Sequence, residues 1–204
     1  PESLAAECAA MMEIFYPHAG FFTVNVSSPN TPSGWRLSRP VYLDSMVGAL
    51  QAANRACAAK LECPPRPLFV KIPPLMDSAA PEDLAGVLLK RQVDAVIAVN
   101  SSPVPGGGLS GRPLAAMALK TTARLYSHLK GRVPIIGVGG ILTPEDAWER
   151  VLAGAALLQL FSGFVFSGPG LIGSILKHLD SELRSHGFDN ISQACGSEAK
   201  KYER

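Results

Sequence analysis

Val133-Pro134-Ile135-Ile136-Gly137-Val138-Gly139-Gly140, followed by Ile141-Leu142-Thr143-Pro144-Glu145-Asp146, is the stretch that decides the fold. It reads as an apolar strand that runs into a glycine turn and on into a helix. Thr143 is placed to cap the first N–H groups of that helix. Pro144 suits its first position, because the ring presets φ and the missing N–H would have had no partner there. Outward from this unit the same alternation recurs. Downstream, Ala155 to Leu160 is a strand and Gly170 to Leu183 a helix. Upstream, a Gly-rich loop at Gly106 to Gly111 leads into a helix from Leu114 to Leu129, and before it lie a strand at Val93 to Asn100 and a helix at Asp83 to Arg91. Further back come the strand Pro67 to Ile72, a helix over Tyr42 to Lys60, the short β-rich run Phe21 to Val26, and a helix over Glu2 to Tyr16 whose Leu4, Cys8, Met11, Met12 and Ile14 share one face. Five strands apolar on both faces, separated by helices, belong in a parallel sheet covered by helices. Periodicity alone leaves two architectures open, an open doubly wound sheet or part of an eight-stranded barrel.

The chain of 204 residues, 47% hydrophobic and 18% charged, is long enough for one well-buried domain. A net charge of +2 with scattered Lys and Arg offers no basic stripe, so nucleic-acid binding is not expected. No run is long and apolar enough to span a bilayer. Cys8, Cys57, Cys63 and Cys195 are sparse and irregular, with neither a CxxC pair nor a Cys/His cluster, and read as reduced thiols; no metal site is expected. His18, His128, His178 and His186 fall on helices or turns away from the strand ends and read as surface or packing residues, and Trp148 as core. The polar tail from Gly187 to Arg204 reads as peripheral. The chain opens on Pro1 without a targeting pattern, as a piece of something longer would.

Chemistry gathers where the strands end: Asn25 with Ser27 and Ser28, Lys71, Asn100 with Ser101, Gly139 with Gly140, and Ser162 with Gly163. In a barrel, the loops after the strands build the active site. Lys71 stands inside the run Leu-Phe-Val-Lys-Ile, where burying an ammonium without an anionic partner costs several kcal/mol; a ligand contact is expected. Alternation along the strand puts Ser27 and Ser28 on opposite faces, and Ser28 is the one taken to face the site. The Gly139-Gly140 turn and Phe161-Ser162-Gly163 would place backbone N–H groups together, as barrels do around a phosphate. No GxGxxG fingerprint is present.

These residues together resemble the dihydroorotate dehydrogenases, specifically the quinone-dependent class 2. The likeness covers nearly the whole chain and rests on Val24-Asn-Val-Ser-Ser-Pro-Asn-Thr-Pro32, Leu109-Ser-Gly-Arg-Pro-Leu114, Gly131-Arg-Val-Pro-Ile-Ile-Gly-Val-Gly-Gly140, and Ala153-Gly-Ala with Leu158-Gln-Leu160. The resemblance implies a (β/α) TIM barrel of eight strands, of which strands four to eight are present, as the C-terminal portion of a single FMN-binding domain. It implies oxidation of dihydroorotate to orotate in pyrimidine biosynthesis, with hydride passing from C6 to FMN and quinone as the final acceptor. Ser28 would remove the C5 proton and Thr31 would be its relay partner; class 1 enzymes carry a cysteine as base instead. Asn25, Asn30, Asn100 and Ser101 would bind the substrate, with Asn25 also touching the flavin. Lys71 would face the flavin's pyrimidine edge, Val99 would line the ring, and Ser110, Gly111, Gly139, Gly140, Phe161 and Ser162 would hold the phosphate and ribityl chain.

Departures from the family pattern are Phe161 where Tyr is common, Trp35 in the flap after Asn30, and a markedly shorter loop between Asn100 and Ser110. The family's first strands, and the N-terminal helices through which class 2 members reach the membrane and quinone, have no counterpart in these residues. The resemblance implies a place on the mitochondrial inner membrane in a eukaryote, or the plasma membrane in a bacterium. On their own these residues are expected to be inactive. The rival readings are another FMN barrel oxidoreductase, such as a class 1 enzyme or a dihydropyrimidine or dihydrouridine reductase, and a catalytically silent binding module.

Overall fold

A computed structural model describes residues 2–28, 38–74 and 80–203 of the chain. Helix α1 (Glu2–Phe15) leads to strand β1 (Phe22–Asn25), then α2 (Pro40–Lys60), β2 (Leu68–Ile72), α3 (Pro81–Arg91) and β3 (Ala95–Ala98). A hairpin of β4 (Ser102–Val104) and β5 (Gly107–Leu109) precedes α4 (Ala115–Leu129). The chain continues through β6 (Ile135–Val138), α5 (Pro144–Leu152), β7 (Leu157–Gln159), α6 (Ser162–Ser167) and α7 (Gly170–Ser185), and closes on the single turns α8 (Ile191–Ala194) and α9 (Ala199–Tyr202).

Strands β1, β2, β3, β6 and β7 form one sheet in that spatial order, with every neighbouring pair parallel. Spatial order repeats chain order. A doubly wound sheet reverses direction at a switch point, where its ligand binds; no reversal occurs here. The five strands are therefore successive staves of a (β/α) barrel, and the choice that periodicity leaves open falls to the barrel.

The two faces of the sheet are packed differently. Val70, Ile72, Val96, Ala98 and Ile135 point outward into one large core with Leu43, Val47, Leu88, Leu125 and Leu129 of the helices. Burial of each such aliphatic side chain contributes about 1.5–3 kcal/mol. The alternate residues Ala95, Ile97, Ile136 and Val138, with Phe69, cluster on the inner face, and Phe21 stacks on Phe69 at 5.1 Å between ring centroids. This alternation sets register. Asn25 pairs with Lys71, Lys71 with Ile97, Ile97 with Ile136 and Ile136 with Leu157, so one inner-facing row crosses the whole sheet.

The C-terminal tail is not peripheral. Ala194 and Ala199 are buried, the Tyr126 hydroxyl donates to the Cys195 carbonyl at 3.0 Å, and the N–H groups of Gly196 and Glu198 donate to the carbonyls of Val151 and Leu152. Two helices of one turn each are too short to show a periodic apolar face, which is why composition alone misreads them. The four cysteines are free. Among the described residues no helix is long and apolar enough to cross a membrane, and no group of potential ligands is arranged to hold a metal.

The outer edges of β1 and β7 pair with no other described strand. An apolar groove of about 310 Å³ runs between α1 and β1, and Phe21, Leu157 and Phe166 stand 57%, 60% and 80% exposed. Unpaired strand edges flanked by apolar surface template association. These 204 residues expressed alone are accordingly expected to aggregate at micromolar concentration. Light scattering that reports a stable, monodisperse monomer would overturn that expectation.

Candidate active site

At the C-terminal ends of the five parallel strands lies a cavity of about 430 Å³. Each strand contributes to it from its last residues or the loop that follows: Asn25 and Ser28 after β1, Lys71 in β2, Val99, Asn100 and Ser101 after β3, Gly139 and Gly140 after β6, and Phe161 and Ser162 after β7. Ser110 and Gly111, between the hairpin and α4, complete the wall. Every candidate residue within the described segments thus borders the same space. Asn30 and Thr31 lie outside the described residues, as does Trp35.

One side of the cavity is a polar network tying three strand ends together. Ser27 is buried and does not border the cavity; its hydroxyl donates to Asn25 Oδ1 at 2.8 Å, with the Lys71 carbonyl at 3.2 Å as alternative acceptor. The Ser27 N–H also reaches Asn25 Oδ1, at 3.2 Å. Asn100 Nδ2 donates to the Ser27 carbonyl at 3.0 Å and lies 3.5 Å from Asn25 Oδ1. With Oδ1 of Asn25 engaged, its amide N–H groups are left for a ligand, while Asn100 keeps its Oδ1 for one. The pair offers a donor and an acceptor side by side, which suits a planar ring carrying both amide N–H and C=O groups. The bracing role of Ser27 is invisible in sequence, since alternation says only that the side chain points away.

Lys71 stands half-buried on the row shared with Asn25 and Ile97. Burial pushes its pKa down from the ordinary lysine value. Its ammonium makes no hydrogen bond or ion pair with any described residue. No Asp, Glu or His borders the cavity among the described residues, so Lys71 is its one side-chain charge.

The far side is built from backbone. Gly139 and Gly140 have φ of +104° and +73°, and a Cβ on Gly140 would lie 2.3 Å from Cα of Ala115. A Cβ on Gly163 would lie 2.2 Å from the Ile141 carbonyl oxygen, so only glycine lets the loops after β6 and β7 touch. The side chain of Ser162 meets that of Ser110 at 3.0 Å. Behind these loops the α5 terminus is held as its sequence foretells. Asp146 N–H donates to Thr143 Oγ1 at 3.2 Å, and Asp146 Oδ2 accepts from the N–H groups of Leu142 and Thr143. Arg112 clamps Asp146 Oδ1 at 2.6 Å, tying this turn to the loop that carries Gly111. Burial pushes the Asp146 carboxyl up, but Arg112 and the two N–H groups outweigh it and hold it below the ordinary value.

Gly140→Ala is expected to destabilise the protein by about 1–3 kcal/mol, because the new methyl meets backbone rather than a yielding side chain. A thermal melt indistinguishable from wild type would show that the turn is looser than its geometry states. Residues that sequence reading did not assign also border the cavity, among them Gly108 of β5, Ile141 and Gln159. The amide of Gln159 within an otherwise apolar strand was the available signal. Gly108 gave none, because the hairpin reads as a loop by composition.

The site suits a flavin: an unpartnered cation and two amide side chains at one end, and glycines without Cβ atoms at the other. A family profile described as dihydroorotate dehydrogenase matches residues 2–183. A curated dihydroorotate dehydrogenase (quinone) from Nitrosospira multiformis is 42% identical over 188 residues, covering 87% of this chain and 53% of its own length. One from Anaeromyxobacter is 33% identical over 216 residues, covering 100% of this chain and 58% of its own. The crystal structure of a ligand-free DHODH from Eimeria tenella superposes with a TM-score of 0.83 at 28% identity, covering 95% of this chain and 60% of that one. The chain thus spans little more than half the length of the relatives it matches. With the strand order, the cavity and these likenesses in agreement, the chain belongs to the dihydroorotate dehydrogenase family.

Proposed function

We propose that this chain carries the substrate and flavin site of a quinone-linked dihydroorotate dehydrogenase, and that it is the C-terminal portion of a single FMN-binding barrel. One observation carries the reading: the segment bearing Ser28 and the Gly139-Gly140 turn border the same cavity, with Lys71 between them in the sheet order. Bound FMN supplies the acceptor for the two electrons that leave dihydroorotate as it becomes orotate. Asn25, Asn100 and Ser101, with Asn30, hold the substrate's ring amides and carboxylate. Ser28 Oγ accepts the proton from C5 of the substrate and passes its own proton towards Thr31, which is how a weakly basic hydroxyl can act as a base. Lys71 Nζ supports the negative charge that develops beside it. Gly111, Gly139 and Gly140 would offer backbone N–H groups to the phosphate, Ser110, Phe161 and Ser162 would hold the ribityl chain, and Val99 would line the ring.

The quinone acceptor is inferred from the names of the relatives, and a lipid-dissolved acceptor favours a place on the mitochondrial inner membrane or the bacterial plasma membrane, reached through an N-terminal region. The whole protein tests the reading. It is expected to purify yellow, to bleach when dihydroorotate is added without oxygen, and to regain colour with a short-chain ubiquinone analogue. A colourless protein, or a yellow one that dihydroorotate leaves unchanged, would reject the assignment.

A further inference from the structure

Behind the glycine turn, on the side away from the cavity, the last turn of α5 sends Arg150 into the protein. Its side chain is 2% exposed. Strand β6 makes room for it, since a Cβ on Gly137 would lie 2.6 Å from Cγ of Arg150. Among the described residues the guanidinium bonds no carboxylate. Nη1 donates to the Val138 carbonyl at 3.2 Å, and Nη2 to the Gly139 carbonyl at 2.8 Å and the Ala115 carbonyl at 3.5 Å. Nε has no partner. Burial pushes its pKa down to about 10, with the charges of Asp146 and Glu149 partly opposing, so it stays a cation at neutral pH.

A buried cation bonded only to carbonyls is costly, and fold stability alone gives no reason to keep it. Its geometry does. In a trans peptide the C=O and the next N–H point in opposite directions. Pinning the Gly139 carbonyl inward therefore aims the Gly140 N–H outward, whereas the Val138 carbonyl is already held by the Val99 N–H at 2.9 Å and gives Arg150 a second anchor. Both glycines border the cavity and Arg150 does not. The third contact, to Ala115, holds the first turn of α4 against the same turn. The positive charge behind the cradle has low-dielectric protein around it, where its field reaches further than in water.

We propose that Arg150 is a positioning residue for the phosphate end of the site: it fixes which way the Gly140 N–H points and adds its own charge behind the glycine turn. The proposal rests on the flavin reading given above and deepens it by naming what makes that end selective for a phosphate ester. The planar guanidinium fork suits this task better than a lysine, whose donors rotate freely around a single point charge.

Dissociation constants of FMN and riboflavin for the flavin-stripped whole protein, read from quenching of flavin fluorescence, test it. In Arg150→Met and Arg150→Gln the preference for FMN over riboflavin should fall on the order of ten- to a hundredfold, the size seen when a supporting partner is removed from other charged sites. Riboflavin affinity itself should hold. Arg150→Lys should lose preference to an intermediate degree, and it serves alone if neither neutral variant folds. An unchanged preference in a folded variant, or equal losses for both flavins, would overturn the proposal, because a merely structural arginine cannot tell a phosphate from a hydroxyl. Wild-type protein that binds neither flavin, or binds both equally, would instead sink the flavin reading and the proposal with it.

Discussion

Ser28→Ala in the whole protein should slow reduction of the bound flavin by dihydroorotate by about 10²–10⁴-fold, the range that a positioned general base supplies. FMN should stay bound, since the glycine cradle and Lys71 are untouched. Groups able to accept a proton are few here: no carboxylate and no histidine borders the cavity among the described residues. That leaves the serine hydroxyls and a deprotonated Lys71. Ser110 and Ser162 pair with each other at the far end, and Ser27 is buried and committed to Asn25. Ser28 and Ser101 remain on the cavity wall, Ser28 as the proposed base and Ser101 as a substrate-binding group.

Stopped-flow reduction without oxygen reads the effect directly. If Lys71 were the base, Ser28→Ala would keep most of the rate. Ser28→Cys sharpens the comparison. A thiol of ordinary pKa, about 8.5, becomes a competent base as pH approaches that value, so this variant should recover part of the rate with an alkaline rise. A flat profile at the alanine level would mean that the residue at 28 does not touch the moving proton.

Much of this arrangement was legible in residues alone because strand ends carry few polar groups without reason. Lys71 in an apolar run, two glycines ending β6 and asparagines ending β1 and β3 each violate what a strand needs, and violations cluster at function. What stayed hidden depends on distance in space. Ser27 looks like a second, idle serine until Asn25 Oδ1 is found against it. Arg150 sits in the run Glu-Arg-Val-Leu, and nothing there says that its helix turns it inward, since arginines on helices are mostly solvated. Gly137 is the silent half of that contact: a glycine inside a strand marks close approach, but not by what. Barrel and doubly wound sheet share their periodicity, so only the spatial strand order separates them. The hairpin β4–β5 and the turns α8 and α9 are too short for any period to register.

Lys71→Met should produce two opposite effects in one protein. Flavin reduction should fall about 10²–10³-fold, the loss typical of removing one group that meets charge developing in the transition state. The flavin-stripped protein, by contrast, should become more stable. Burial lowers the pKa of Lys71 in the fold and no described partner offsets it. Between the lowered value and the ordinary value of about 10.4, the unfolded chain binds more protons than the folded one, so wild-type stability rises with pH across that window. The penalty for the ammonium is full below it. Methionine fills the same space without the charge, so its advantage in melting temperature should be present at neutral pH and shrink as pH climbs towards 10.4. The side chain is only partly buried, which keeps the gain modest. A melting temperature that drops at every pH would mean that the ammonium has a stabilising partner in the protein. An unchanged reduction rate would mean that the charge does not serve the reaction. If both effects appear, the cost that Lys71 imposes on the empty fold is the counterpart of what it does for the bound ligand, a conflict between stability and activity that packing residues do not show.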